Sequence, residues 1–163
     1  MREAFKWATA NQTEIIIISD ANDFYIDTIA RAKSINGFIS RTITNFSTFD
    51  DNGRLTISRH TIEEHGCAKC AANLCKGTSF NAGRELLQHM STGQFKRVIY
   101  AGDGRNDFCP STKLKEHDLV LVRMGRAFHK MLQDSANRSM ITAKIIEWNT
   151  ADDLFRILKS EYL

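Results

Sequence analysis

Apolar positions along this chain fall into short dense runs set between polar segments, and the runs alternate between two periods. Residues 15–19 form an almost unbroken β-branched run, the pattern of a strand buried on both faces of a parallel sheet. Before it, residues 1–9 place Phe5, Trp7 and Ala8 among polar neighbours and read as a short helix. After it, residues 20–23 form a loop leading into a helix that carries Ile26, Ile29 and Ala30 at helical spacing. Residues 38–45 alternate as a strand, and the Asp51-Asn52-Gly53 turn joins them to residues 54–58, a small β excursion.

The second half repeats the alternation. Residues 63–76 hold no period and form a cysteine-rich loop. Thr78 is placed to cap a helix with Phe80, Leu86, Leu87 and Met90 as apolar positions and Gly93 beyond its end. Strands are expected at residues 98–101, 118–123 and 141–148, with a helix over residues 127–136. Thr150-Ala151-Asp152-Asp153 resembles a capping box, opening a last helix that buries Leu154, Ile157 and Leu158. Strand and helix thus alternate at least three times, which predicts an α/β protein with a mostly parallel sheet and helices on both faces.

Length and composition narrow the picture only a little. With 163 residues one domain is expected. Lys and Arg exceed Asp and Glu by 22 to 19, too slight an excess to indicate nucleic acid, and no basic block stands out. The longest purely apolar run, residues 15–18, is far short of a membrane span, and the first 14 residues lack a signal-peptide core, so a cytoplasmic protein without membrane contact is expected.

Candidate chemistry gathers at strand ends. Gly102-Asp103-Gly104 follows an apolar strand, and Asp107 comes four positions after Asp103. In an open α/β sheet ligands bind outside the carboxyl ends of strands, and a carboxylate there suits Mg2+. The plainer reading is a βα loop whose aspartates cap the next helix. Ser19 ends a strand in the same way, so its hydroxyl can donate to a phosphate oxygen or simply cap a helix. Lys76 stands near an expected helix start, where a cation is disfavoured unless an anion lies between. Cys67, Cys70 and Cys75, with His65 and His60 upstream, have spacing suited to Zn2+, and equally suit small apolar residues in a loop. Cys109 is a fourth ligand only if the fold unites the two loops.

Taken in order, residues 15–19, Lys76 and Gly102-Asp103-Gly104-Arg105-Asn106-Asp107 resemble the second, third and fourth motifs of the haloacid dehalogenase (HAD) superfamily of phosphohydrolases. Ser19-Asp20-Ala21-Asn22, the run from Cys67 to Lys76 and the run from Gly102 to Pro110 are more closely similar to the PHOSPHO phosphatases. The resemblance implies a Rossmann-like HAD-type fold and Mg2+-dependent hydrolysis of small phosphomonoesters, such as phosphoethanolamine, phosphocholine or pyridoxal 5'-phosphate. It assigns catalytic roles to Ser19, Lys76 and Asp107, an Mg2+ carboxylate to Asp103, and substrate contacts to Asp20 and Asn22.

One departure matters. The family's first motif, Asp-x-Asp-x-Thr, supplies the nucleophile and the acid/base, and no stretch of these residues matches it. In the family its strand lies mid-sheet, between those matching residues 15–19 and 98–101, with a cap domain inserted after it. The expectation is therefore a single HAD-like domain over residues 1–163 that lacks this strand and the cap, is part of a longer protein, and is inactive alone. The alternative is a catalytically inactive protein that binds a phosphorylated metabolite or a partner.

Overall fold

The computed structural model describes residues 2–90 and 95–161, and the side chains of residues 84–90 lie outside the description. Contacts divide the chain into two compact units. One comprises Met1–Gly66 with Ala71–Leu74, the other Cys67–Cys70 with Cys75–Leu163.

The first unit begins with helix α1 (Arg2–Ala10), whose buried Ala4 and Ala8 stand four apart on one face. Strand β1 (Ile16–Asn22) leads into helix α2 (Asp23–Ala32), and strands β2 (Arg41–Phe49) and β3 (Leu55–Ser58) follow. β1 and β2 pair in parallel, Ile16 facing Arg41 and Ile18 facing Ile43. β2 and β3 form the expected antiparallel hairpin. Its turn passes through Gly53 at φ 74°, a conformation that glycine adopts without strain, and the Asp50 carboxylate accepts the Asn52 and Arg54 amides at 2.9 and 2.8 Å.

Two expectations fail in this unit. β1 is only half-buried, because it is an edge strand with β2 as its sole ladder partner among the described residues. Nor do residues 20–22 leave the strand. A register shift between Ile18 and Asn22 lets the chain rejoin β2 opposite Asn45, where the Asn45 amide donates to the carbonyls of Asp20 (2.9 Å) and Ala21 (2.7 Å). A side chain thus replaces ladder bonds through the irregularity.

The second unit runs through α3 (Lys76–Met90), β4 (Ile99–Gly102), a 3-10 turn (Arg105–Asp107), α4 (Phe108–Ser111), β5 (Leu119–Arg123), α5 (Ala127–Met131), α6 (Ser135–Ser139), β6 (Lys144–Trp148) and α7 (Ala151–Glu161). Its sheet is wholly parallel in the order β4-β5-β6. Central β5 buries Leu119, Val120, Leu121 and Val122 completely, and Leu119 and Leu121 pack with Leu154, Ile157 and Leu158 of α7. Just before β5, the fully buried Asp118 accepts the Val98 and Lys115 amides, both at 2.8 Å, fixing where β4 and β5 start.

The capping box of α7 forms as expected. Thr150 N–H donates to Asp153 Oδ2 at 2.9 Å, and Asp153 N–H to Thr150 Oγ1 at 3.1 Å. α3, however, starts at Lys76, so Thr78 lies in its first turn and does not cap it. The expected apolar positions Leu86, Leu87 and Met90 have side chains outside the described residues, as is Gly93 altogether. The helix expected over residues 127–136 is broken into α5 and α6, since Asp134 leaves helical geometry and caps α6 through the Ala136 amide. α/β architecture with mainly parallel strands is thus present. No described helix is long and apolar enough to cross a membrane.

Leu121 is fully buried and Ile17 half-buried. Replacing the first by Ala should cost about 3 kcal/mol, within the usual range for a filled core position, and replacing the second clearly less. Urea unfolding of the two variants measures the difference.

Candidate active site

β4 ends in Gly102, and the chain then turns sharply to bring Asp107 back beneath it. Asp107 is only 4% exposed. Its Oδ1 accepts the Lys76 ammonium at 2.7 Å and the Tyr100 hydroxyl at 2.8 Å. Its Oδ2 accepts the backbone amides of Asp103 (2.8 Å) and Gly104 (2.7 Å). A buried carboxylate is costly unless paired and hydrogen-bonded, and here four donors meet both oxygens. The same residue's carbonyl accepts the Ser111 hydroxyl at 2.7 Å, tying the turn to α4.

The glycines make this closeness possible. A Cβ on Gly102 would stand 2.6 Å from Asp107 Cβ and Cγ, and one on Gly77, beside Lys76, would stand 2.5 Å from Cys109 Sγ. Tyr100 is held strictly as a donor: burial, then the negative charge of Asp107, pushes its phenol well above the ordinary value. Its ring packs edge-on against Phe80 of α3.

Lys76 opens α3, where the helix dipole disfavours a cation, and Asp107 is the anion that makes the position tenable. Asp103 differs from Asp107 in every respect. Its side chain is 52% exposed, and Arg123, at the end of β5, approaches it to 3.7 Å. Its backbone carbonyl accepts the Phe128 amide at 3.1 Å, anchoring the turn to α5. Asp107 is fully engaged by donors, so Asp103 is the carboxylate of this pair disposed for a metal. One exposed carboxylate at a strand end fits Mg2+, which usually takes one or two protein carboxylates and fills the rest with water and phosphate oxygen.

Lys76, Asp103 and Asp107 belong to the second unit, and Ser19, Asp20 and Asn22 to the first. There the Ser19 hydroxyl accepts the Ala21 amide at 3.2 Å, and Asp20 is exposed. Asn22 is 3% exposed and caps α2 through the Tyr25 amide at 3.0 Å. That capping was readable, since Asn just before a helical apolar period is a standard N-cap signal.

Cys67, Cys70 and Cys75 come together, and Cys109 joins them. One sulfur from each lies within 4.8 Å of all the others. Cys67 Sγ and Cys109 Sγ are 3.6 Å apart, and Cys75 and Cys109 are 3.9 Å apart. Burial pushes the Cys70 thiol up to about 11 and Cys109 higher still. Burial acts upward on Cys75 too, but the Thr78 hydroxyl and amide at its sulfur bring it down to about 6. His60 and His65 bond elsewhere, to the carbonyls of Thr44 (3.1 Å) and Ala71 (2.9 Å). Sequence reasoning missed Tyr100, inside β4, and Arg123, which ends β5; the position of Arg123 at a strand end was the one signal that pointed to it.

A buried lysine–aspartate pair beside an exposed aspartate, all at the carboxyl end of a parallel strand, is the arrangement of a HAD-like α/β protein. A family described as Putative Phosphatase matches residues 1–161, and the chain belongs to it, as a PHOSPHO-type member of the HAD-like phosphatases. Similar proteins include the pyridoxal phosphate phosphatase PHOSPHO2 of Bos taurus, 33% identical over 152 residues covering 91% of this chain and 61% of that protein. A thiamine phosphate phosphatase-like protein of Arabidopsis thaliana is 37% identical over 160 residues, covering 96% and 63%. The phosphoethanolamine/phosphocholine phosphatase of Homo sapiens is 35% identical over 153 residues, covering 90% and 56%. The chain thus spans between 56% and 63% of the length of these relatives.

Gly102→Ala should drive a methyl group into the immobilised Asp107 carboxylate and destabilise the second unit by about 1–3 kcal/mol, the usual cost of overpacking. Gly37→Ala, where a Cβ meets nothing within 4 Å, should be nearly neutral. Denaturant unfolding of the two variants checks the contrast.

Proposed function

We propose that these residues hold the phosphate group and the Mg2+ ion of a small-molecule phosphomonoesterase. The observation that carries this reading is the buried ion pair of Lys76 with Asp107 at the carboxyl end of β4. An ammonium has three donors and Asp107 takes one, so Lys76 is oriented and still able to meet a phosphate oxygen. Asp107 acts through Lys76 and the turn, as a positioning residue. Asp103 is the Mg2+ ligand. The ion, when bound, neutralises negative charge on the phosphoryl oxygens. Ser19 is a phosphate contact by its place at the end of β1, and Asp20 and Asn22 enter as substrate contacts on the family resemblance alone.

The substrate class is a small phosphate monoester. Pyridoxal phosphate, phosphoethanolamine and phosphocholine are the first candidates, because the names of the similar proteins specify them. In the family reaction an aspartate attacks phosphorus to give an aspartyl-phosphate, later hydrolysed. None of the 163 residues stands in an Asp-x-Asp-x-Thr arrangement, so the reading assigns them phosphate holding and not the attack. The setting is cytoplasmic, and the partner a phosphorylated metabolite.

Measurements on the 163-residue chain and two variants test the reading. With Mg2+ and pyridoxal 5'-phosphate or phosphoethanolamine it should release no phosphate above the uncatalysed rate; steady Mg2+-dependent release contradicts the assignment. Calorimetric titration with inorganic phosphate should show binding that Mg2+ strengthens. Lys76→Ala should weaken that binding roughly 10- to 100-fold, as expected for loss of a charge-assisted hydrogen bond. Asp103→Asn, at an exposed position, should abolish the Mg2+ enhancement without disturbing the fold. Unchanged phosphate binding in both variants would sink the proposal.

A further inference from the structure

The chain contains four cysteines, and all four converge on one point although Cys109 is 34 residues beyond Cys75 in sequence. Small apolar residues serving only to fill a loop have no reason to gather in this way. The distances point to chemistry. Four thiolates arranged tetrahedrally at a Zn–S length of about 2.3 Å stand about 3.8 Å from one another. Cys67 and Cys109 are at 3.6 Å, and Cys75 and Cys109 at 3.9 Å. A disulfide needs its sulfurs at about 2.05 Å, so these spacings belong to ligands sharing an ion and not to bonded pairs.

The surroundings agree. Cys75 directly precedes Lys76, the first residue of α3, and so stands at the amide-rich start of that helix. Backbone amides at a helix start offset the negative charge that thiolates leave around a divalent ion. Lys69, between Cys67 and Cys70 in sequence, adds a cation, its ammonium 5.5 Å from the Phe108 ring centre. The segment between β3 and α3 has no regular secondary structure, and it exceeds the roughly 12–15 residues beyond which an irregular loop needs some other source of order.

We infer that Cys67, Cys70, Cys75 and Cys109 form a structural Zn2+ site. On binding, the thiol protons pass to solvent and four Zn–S bonds form, with no change of oxidation state. The site fastens the residue just before Lys76 and the residue two beyond Asp107 to one ion. It thereby ties together the two chain segments that carry the ion pair. This goes beyond the phosphate-holding reading and does not depend on it.

Metal analysis of the full chain, purified under reducing conditions without chelator, should find about one zinc per chain. Replacement by Co2+ should give the thiolate charge-transfer absorption and visible bands of tetrahedral cobalt. Cys109→Ser should lose zinc, and Cys109→His, which keeps a ligand, should retain it. Zinc-free protein that takes up no Zn2+ when offered it, with all four thiols open to titration, overturns the inference. So does Cys109→Ser holding zinc as well as the original, or a disulfide found by mass under the same conditions. None of these readouts involves phosphate, so failure here leaves the functional proposal to its own test.

Discussion

The second unit depends on one buried electrostatic contact, the 2.7 Å pair between Lys76 and Asp107. Alone, either charge would be prohibitive in a site where both side chains are at most one-tenth exposed. Together, with Tyr100 and the amides of Asp103 and Gly104 meeting the remaining lone pairs, they define the geometry of everything around them. The helix start of α3, the end of β4 and the turn into α4 all meet at this carboxylate. Gly102 and Gly104 follow from it, because the backbone must come within reach of Asp107.

The two aspartates of the turn divide the labour through their surroundings. Asp107 faces inward and its acceptor capacity is used up. Asp103 faces outward, and among the described residues its side chain makes a loose contact with Arg123. On the proposed reading, phosphate and a hard cation call for a fixed ammonium and an available carboxylate, which Lys76 and Asp103 would supply. A zinc ion held by Cys75 and Cys109, which lie on the same two segments, would make the arrangement more rigid.

The β-α alternation was legible because hydrophobic period reports burial directly, and β5 and β6 lie where the pattern places them. The capping box at Thr150 and the hairpin turn at Gly53 were legible for a similar reason, since both are local. Burial of β1 was misread because four isoleucines in a row describe a strand that can be covered on both faces; they do not report how many ladder partners it has. The break between α5 and α6 hinged on Asp134 preferring to cap, a competition that apolar spacing cannot register. At the site, the motif residues were readable one by one, and the contacts that arrange them were not. That Asp107 is the organiser, that Tyr100 donates to it, and that Cys109 joins three distant cysteines are consequences of tertiary convergence.

A double-mutant cycle on Lys76 and Asp107 tests the dependence of the second unit on this pair most directly. Lys76→Met and Asp107→Leu should each destabilise the protein by about 3–5 kcal/mol in denaturant unfolding, since each leaves an uncompensated buried charge, and the double variant should cost far less than their sum. Strictly additive losses would contradict the account, by showing that the two side chains do not hold one another in place.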